Sequence, residues 1–188
     1  MLHPLIELID AKKVYVDRIF NLEIHQGDFV LIKGGNGSGK TTLIHLILGF
    51  IKPDQGCVKR RIKRLNYCPE KVYLPPHLKV IEYIEMMSDF KGVDVDMTLV
   101  HLFKLPLYKR ISACSKGNVQ KLCLYQALIG KTNLYILDEP FSGLDEHMAK
   151  DLCLYIDALH QQNITFVVST HFPHYFDHIK KTVVDLCI

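Results

Sequence analysis

Lys40 and Thr41 close an unbroken run, Gly34-Gly35-Asn36-Gly37-Ser38-Gly39-Lys40-Thr41, that fits the phosphate-cradling pattern G-x-x-x-x-G-K-[ST]. Residues without a Cβ let the backbone curl so that its N–H groups point inward at an anion. The apolar run Phe29-Val30-Leu31-Ile32 precedes the pattern, and Thr42-Leu43-Ile44-His45-Leu46-Ile47-Leu48 follows it, which reads as strand, tight loop, helix. A helix starting there turns its unpaired N–H groups and the positive end of its dipole to the same point. In such a loop Lys40 reaches the β- and γ-phosphates and the Thr41 hydroxyl ligates Mg²⁺. The pattern in this context predicts a nucleoside triphosphate site.

A second cluster of chemistry follows at Leu134-Tyr135-Ile136-Leu137-Asp138-Glu139, an apolar strand ending in two carboxylates. Ligands of open α/β sheets sit at the carboxyl ends of strands, so Asp138 is expected to face the phosphates. A hard Mg²⁺ ion shared by phosphate oxygens and Thr41 needs such a carboxylate. Glu139, one residue on, is placed to polarise the attacking water. Ser169-Thr170-His171 ends the next apolar strand, where a histidine can hydrogen-bond a γ-phosphate. His174 and His178 share a helical spacing with His171, but no carboxylate or cysteine completes a set, so zinc is not expected.

These groups need elements to hold them. The 188 residues suffice for one well-cored domain. A net charge of +3 implies neither nucleic acid nor an anionic membrane surface. The basic residues Lys59-Arg60-Arg61 and Lys63-Arg64 alternate with Val58, Ile62 and Leu65 and read as the solvent face of strands. The sequence has no run of the ~20 apolar residues that a bilayer span needs, and the N-terminus lacks a signal-peptide pattern, so a cytoplasmic location is expected. Six cysteines occur without a C-x-x-C pair, which predicts reduced and mostly buried thiols.

Short strands are expected over 5–9, 14–16 and 19–24, with turns at Asp10-Ala11 and Asp17. A helix over about 40–50 ends before the turn cluster Pro53-Asp54-Gln55-Gly56, and strands follow at 57–61 and 64–68. Helical spacing marks 80–89, 96–104 and 115–129. Strand and helix then alternate: 134–137, 146–160, 164–169, a brief helix near 174–178, and 182–187. Continuous apolar strands between helices imply a parallel sheet covered on both faces. The fold class expected is therefore α/β, with an N-terminal antiparallel β subdomain and a protruding helical lobe.

Further motifs narrow the family. Asn36 and Thr42 fit a G-x-N-G-x-G-K-[ST]-T variant of the glycine loop. Cys114-Ser115-Lys116-Gly117-Asn118-Val119-Gln120-Lys121 looks like an L-S-G-G-Q signature opening a helix. Ser142-Gly143-Leu144-Asp145 follows Asp138-Glu139-Pro140 as a D-loop does. Order and spacing resemble the ATP-binding subunit of ABC transporters from about residue 5 onward, a P-loop NTPase fold. The resemblance implies a β subdomain and RecA-like core at about 1–70 and 130–188, and a helical lobe at about 72–129. It implies that Gly35, Asn36, Gly37, Ser38, Gly39, Lys40, Thr41 and Thr42 bind ATP, that Asp138 and Glu139 serve Mg²⁺ and hydrolysis, and that His171 is a switch histidine. Tyr15 is the aromatic expected to stack on adenine.

Ser115, with its hydroxyl, and Gly117 begin a helix whose N-terminus is a second anion site. In the family that site completes the nucleotide pocket of a second cassette, so Ser115, Lys116, Gly117 and Asn118 act in trans and ATP favours the closed dimer. A homodimer suffices but is not required. Three residues depart from the family pattern. Glu70 stands where a Q-loop glutamine is usual and still offers a water-mediated Mg²⁺ contact; Lys116 and Asn118 replace signature residues. Membrane-spanning subunits are the implied partners, docking on apolar residues such as Tyr73, Tyr83, Met86, Met87 and Phe90. No nucleic-acid partner is expected. The Ser115-Lys116-Gly117 form and the single short cassette look similar to exporters of peptides or drugs. The alternatives are a soluble ABC-type ATPase outside transport and a regulatory cassette with little turnover.

Overall fold

The computed structural model describes residues 3–187. In chain order the elements are β1 (Ile6–Lys12), β2 (Ile19–Ile24), β3 (Phe29–Lys33), α1 (Lys40–Leu48), β4 (Gln55–Arg60), β5 (Asn66–Cys68), α2 (Val80–Lys91), α3 (Met97–Leu102), α4 (Lys116–Leu128), β6 (Leu134–Asp138), α5 (Glu146–His160), β7 (Thr165–Ser169) and β8 (Thr182–Asp185). Short 3₁₀ turns lie at Ile111–Ala113 and Pro173–Phe176. The strands form a three-stranded antiparallel sheet, β2-β1-β4, and a five-stranded sheet, β5-β6-β7-β3-β8, whose pairs are all parallel.

The alternation of side chains along the parallel strands explains why they are apolar throughout. Val30, Ile32, Leu134, Ile136 and Val167 face one core, shared with Leu43, Ile44 and Ile47 of α1 and Ile6 and Leu8 of β1. Phe29, Leu31, Tyr135, Leu137, Phe166 and Val168 face the other, shared with α2, α4 and α5. Burying both faces fixes the register, because a one-residue slip would exchange the two sets. That register pairs Ile32 with Ser169 and Ser169 with Asp138. The carboxyl ends of β3, β7 and β6 therefore share one edge.

Several local expectations change. β1 runs through Asp10, which has a left-handed φ of 47°, because the irregularity is absorbed as a bulge between Leu8 and Ala11. Asn21 bridges it, accepting from the Asp10 N–H at 2.7 Å and donating to the Asp10 carboxylate at 2.9 Å. Residues 14–16 are not a strand; Asp54 takes the Val14 N–H, and Val16 N–H turns back to the Lys13 carbonyl. The helix expected near residue 174 is the 3₁₀ turn, and the last strand ends at Asp185. Arg60 is exposed as expected, but its guanidinium also donates to the Leu46 and Ile47 carbonyls at the end of α1. Lys59 and Arg61 pair with Glu7. All six thiols are free, but burial holds only for Cys68, Cys123 and Cys153; Cys57 and Cys187 are exposed.

Candidate functional site

Gly39 caps α1 with φ 99°, a conformation open to glycine, and Lys40 begins the helix. The Lys40 side chain is buried and folds back over its own loop, donating to the Gly34 carbonyl at 2.8 Å and the Gly35 carbonyl at 3.3 Å. Gly35, Asn36, Gly37 and Thr41 are exposed, and Ser38, Gly39 and Thr42 are half-buried around it. The buried Ser38 hydroxyl has no hydrogen-bond partner among the described residues. An orphaned hydroxyl in a loop of exposed residues suits an anion that brings its own acceptors.

Asp138 and Glu139 end β6 at the same edge. The Thr41 hydroxyl lies 3.5 Å from Asp138 Oδ2. The Ser169 hydroxyl donates to Asp138 Oδ1 and accepts the Glu139 N–H, the latter at 3.1 Å. Burial pushes the Asp138 carboxyl above its ordinary value; the Ser169 hydrogen bond opposes this, Glu70 adds to it, and Lys40 and His45 oppose it. Ser169 is a site residue that the sequence reading left without a role. A hydroxyl directly after the apolar run Phe166-Val167-Val168 was the available signal.

Glu139 has a left-handed φ of 50°, which turns its side chain off the strand. Its Oε1 lies 3.5 Å from Lys40 Nζ and 3.3 Å from His171 Nε2, without a hydrogen bond. Its Oε2 accepts the His171 N–H at 3.2 Å. Lys40 Nζ and His171 Nε2 are themselves 3.5 Å apart. One carboxylate thus sits between a buried ammonium and an exposed imidazole. His174 and His178 go elsewhere: His174 packs on Tyr175, and His178 pairs with Asp157 at 3.7 Å.

The remaining predicted residues lie around this centre. Ser115 caps α4, its hydroxyl accepting the Asn118 N–H at 3.3 Å, and Lys116 is exposed at the first helical position. Gly117 packs against Gly143 of the loop that follows Glu139. In that loop Ser142 and Gly143 are exposed, Leu144 is half-buried, and Asp145 caps α5 by accepting the Met148 N–H at 2.9 Å. Glu70 is exposed just past β5. Tyr15 is exposed in the loop after β1, where the neighbouring Val16 packs beside Gly39. Of the docking candidates, Tyr73, Met86 and Phe90 are exposed, but Tyr83 is core, with its hydroxyl bonded to Gln126.

A model of the ABC transporter family matches residues 18–142. The chain belongs to the ABC transporter family. Among relatives of this ABC chain, the spermidine/putrescine import ATP-binding protein PotA of Fusobacterium nucleatum is 33% identical over 84% of the chain and 47% of its own length. The ergothioneine transport ATP-binding protein EgtV of Helicobacter pylori is 31% identical over 81% of each. The chain spans about half the length of the PotA relatives it matches. The fold is also that of solved ABC structures. An ATP-binding subunit of an ABC transporter has TM-score 0.82 at 24% identity, covering 96% of this chain and 85% of that one. The dimeric bacterial cassette MJ0796 has TM-score 0.80 at 20% identity, covering 97% and 94%. No helix of the described residues is long and apolar enough to cross a membrane.

Proposed function

We propose that this ABC chain is the ATP-binding and ATP-hydrolysing subunit of a transporter, working as one of two cassettes that close around two ATP molecules. The observation that carries the reading is the meeting of Lys40, Glu139 and His171 within 3.5 Å at the edge that also holds Thr41 and Asp138. Lys40, released from the loop carbonyls, binds the β- and γ-phosphates alongside the amides of residues 35–42. Glu139 accepts a proton from the attacking water as the γ-phosphorus gains the new oxygen and parts from the bridging one. His171 donates to the γ-phosphate and holds it in line. Tyr15 stacks on the adenine.

The donor set fits Mg²⁺: two hard oxygens, the Thr41 hydroxyl and Asp138 carboxylate, beside a phosphate cradle. Thr41 and Asp138, with Glu70 through water, would hold the ion, which supplies charge neutralisation at the phosphate oxygens.

Ser115, Lys116, Gly117 and Asn118 sit on a helix end and serve the partner's nucleotide, while Ser142, Gly143, Leu144 and Asp145 lie across the pair's interface. Each chain has its own glycine loop and signature, so a homodimer suffices. The membrane subunit binds the exposed Tyr73, Met86 and Phe90 and holds the cassette at the cytoplasmic face. Direction is the finer reading. The Ser115-Lys116-Gly117 form favours export, whereas PotA is named an import protein. A second reading, a regulatory cassette with little turnover, is favoured by Glu70, whose charge bears on Asp138.

Wild-type ATPase measured with the copurifying membrane subunit, beside Glu139→Gln and size exclusion with ATP, separates these readings. Turnover lost in Glu139→Gln together with an ATP-dependent dimer supports the motor. A wild type that binds ATP without turnover in the full assembly leaves the regulatory reading. Labelled cargo followed in vesicles carrying that assembly gives the direction.

A further inference from the structure

Asp54 lies in the bend after α1, and its carboxylate spends both oxygens on one loop. Oδ1 accepts from Lys13 Nζ at 2.6 Å and Oδ2 accepts the Val14 N–H at 2.8 Å. The Asp54 N–H donates to the Lys12 carbonyl at 2.8 Å, and Lys13 Nζ donates again to the Lys52 carbonyl at 3.1 Å. The Lys13 hydrogen bond and the Val14 N–H hold the Asp54 carboxyl below its ordinary value, so the brace is charged at neutral pH. The braced residues lead directly to Tyr15 and Val16. Lys13 Nζ stands 5.5 Å from the Tyr15 ring centroid, and a Cβ on Gly39 would meet Val16 Cγ1 at 3.3 Å.

These contacts close a ring. The glycine loop leads into α1, α1 into Asp54, Asp54 grips residues 13 and 14, and Val16 returns to Gly39, the last glycine of the loop. A rigid helix forms one side of that ring, so the offset between the phosphate cradle and the exposed Tyr15 ring is set by where Asp54 holds its loop. We infer that Asp54 is a positioning residue for the base half of the nucleotide: it fixes the platform that receives the purine and leaves the triphosphate cradle untouched. The inference rests on the reading of the glycine loop as an ATP site and of the Tyr15 loop as its base-side wall. Without the Asp54 carboxylate the loop keeps its own turns, Val16 N–H to the Lys13 carbonyl and Arg18 N–H to the Val16 carbonyl, together with the Arg18 guanidinium on the Asp185 carbonyl and Val16 on the core, but no other described residue takes the Val14 N–H.

The test compares Kd for ATP with Kd for inorganic tripolyphosphate, by calorimetry, in wild type, Asp54→Ala, Tyr15→Ala and the double variant. Lys40→Ala is the control for the cradle. The expected result for Asp54→Ala is an ATP affinity lower by about ten-fold, the scale of one lost base contact, with tripolyphosphate affinity unchanged. The double variant should bind ATP no more weakly than the weaker single variant, because both changes remove one interaction. Asp54→Asn, which keeps an oxygen for the Val14 N–H, should fall between. Unchanged ATP affinity in Asp54→Ala overturns the inference, as does an equal loss for tripolyphosphate, or full additivity with Tyr15→Ala. If Lys40→Ala leaves both ligands' affinities unchanged, the nucleotide reading itself is what fails, and the inference falls with it.

Discussion

Gly117 and Gly143 meet backbone to backbone: a Cβ added at Gly117 would lie 2.7 Å from the Gly143 carbonyl oxygen. Gly143 itself has φ 73°, so neither residue can take a side chain without movement. Gly117 thus touches the loop of residues 142–145 in its own chain, and the start of α4 is tied to the segment that follows Glu139.

Gly117→Ala should therefore separate these two segments. Backbone that must shift costs about 1–3 kcal/mol, which lowers Tm by about 2–12 °C in a domain of this size. ATP affinity of the isolated chain should stay as it was, because the cradle is not touched, while ATPase in the dimer should drop about ten-fold or more. Calorimetric melting beside steady-state ATPase checks both. Unaltered Tm would mean that the contact carries no strain.

Ser169 ties Asp138 to Glu139, accepting the Glu139 N–H while donating to Asp138 Oδ1. That hydrogen bond lowers an Asp138 carboxyl that burial raises. Ser169→Ala should raise it further. A protonated Asp138 cannot serve a metal, so the acid limb of the Mg²⁺-dependent kcat/KM should move to higher pH in the variant. The stability sign is opposite. A carboxyl raised above its unfolded value stabilises the fold at pH below the ordinary Asp range and loses that contribution as pH rises through the raised value. A pH–rate profile with superimposable acid limbs would sink the assignment.

Lys91 gives a test independent of the nucleotide. Burial lowers its ammonium to about 8, and its Nζ donates to the Gln126 and Ile129 carbonyls at the end of α4, at 2.6 and 3.0 Å. Between that value and the ordinary 10.5, the unfolded chain carries the proton and the folded chain does not. Stability from this group therefore rises with pH across the window. Cys153 and Tyr155, both pushed up to about 12 by burial, act the other way. Whole-protein stability mixes the two signs, but the difference between wild type and Lys91→Met isolates Lys91. Urea unfolding at pH 7.5 and 10 should show that difference growing in favour of wild type. A constant difference rejects the burial account.

The sequence read most clearly where one residue type answers one physical demand. Continuous apolar runs at Phe29-Val30-Leu31-Ile32 and Leu134-Tyr135-Ile136-Leu137 told of strands covered twice, and the two cores on opposite sheet faces are the reason. Lys40, Thr41, Asp138, Glu139 and His171 could be gathered because parallel strands bring their carboxyl ends to one edge. What the sequence concealed depends on partners distant in the chain. Val14-Tyr15-Val16 has strand composition, but Asp54 takes the Val14 N–H that a neighbouring strand would need. Arg60 sits in a basic run that reads as solvated and is exposed, but its second role, capping the carbonyls at the end of α1, depends on a distant partner. Ser169 looked like a strand end until the register set it against Asp138.

Lys40 and Glu139 form a buried pair, each side chain 9% exposed, in which Glu139 Oε1 has no hydrogen bond and lies 3.5 Å from the ammonium. Removing one member of such a pair leaves the other charge without a counterion in a dry setting, which costs about 3–5 kcal/mol, whereas removing both can be nearly neutral. Lys40→Met should therefore destabilise the nucleotide-free chain by about that amount, and Lys40→Met with Glu139→Gln should recover most of it. The two variants differ in function in another way. Glu139→Gln alone keeps the ammonium for the phosphates, so ATP binding should persist while turnover falls at least about 10²-fold, the loss of a general base. Lys40→Met loses binding and turnover together, and the double variant regains stability without regaining either. Urea unfolding of the four proteins without nucleotide, with ATP binding and phosphate release measured in parallel, checks the set. A double variant as unstable as the two losses summed would show that Lys40 and Glu139 stabilise the fold separately, through the loop carbonyls and the His171 backbone, and not through each other.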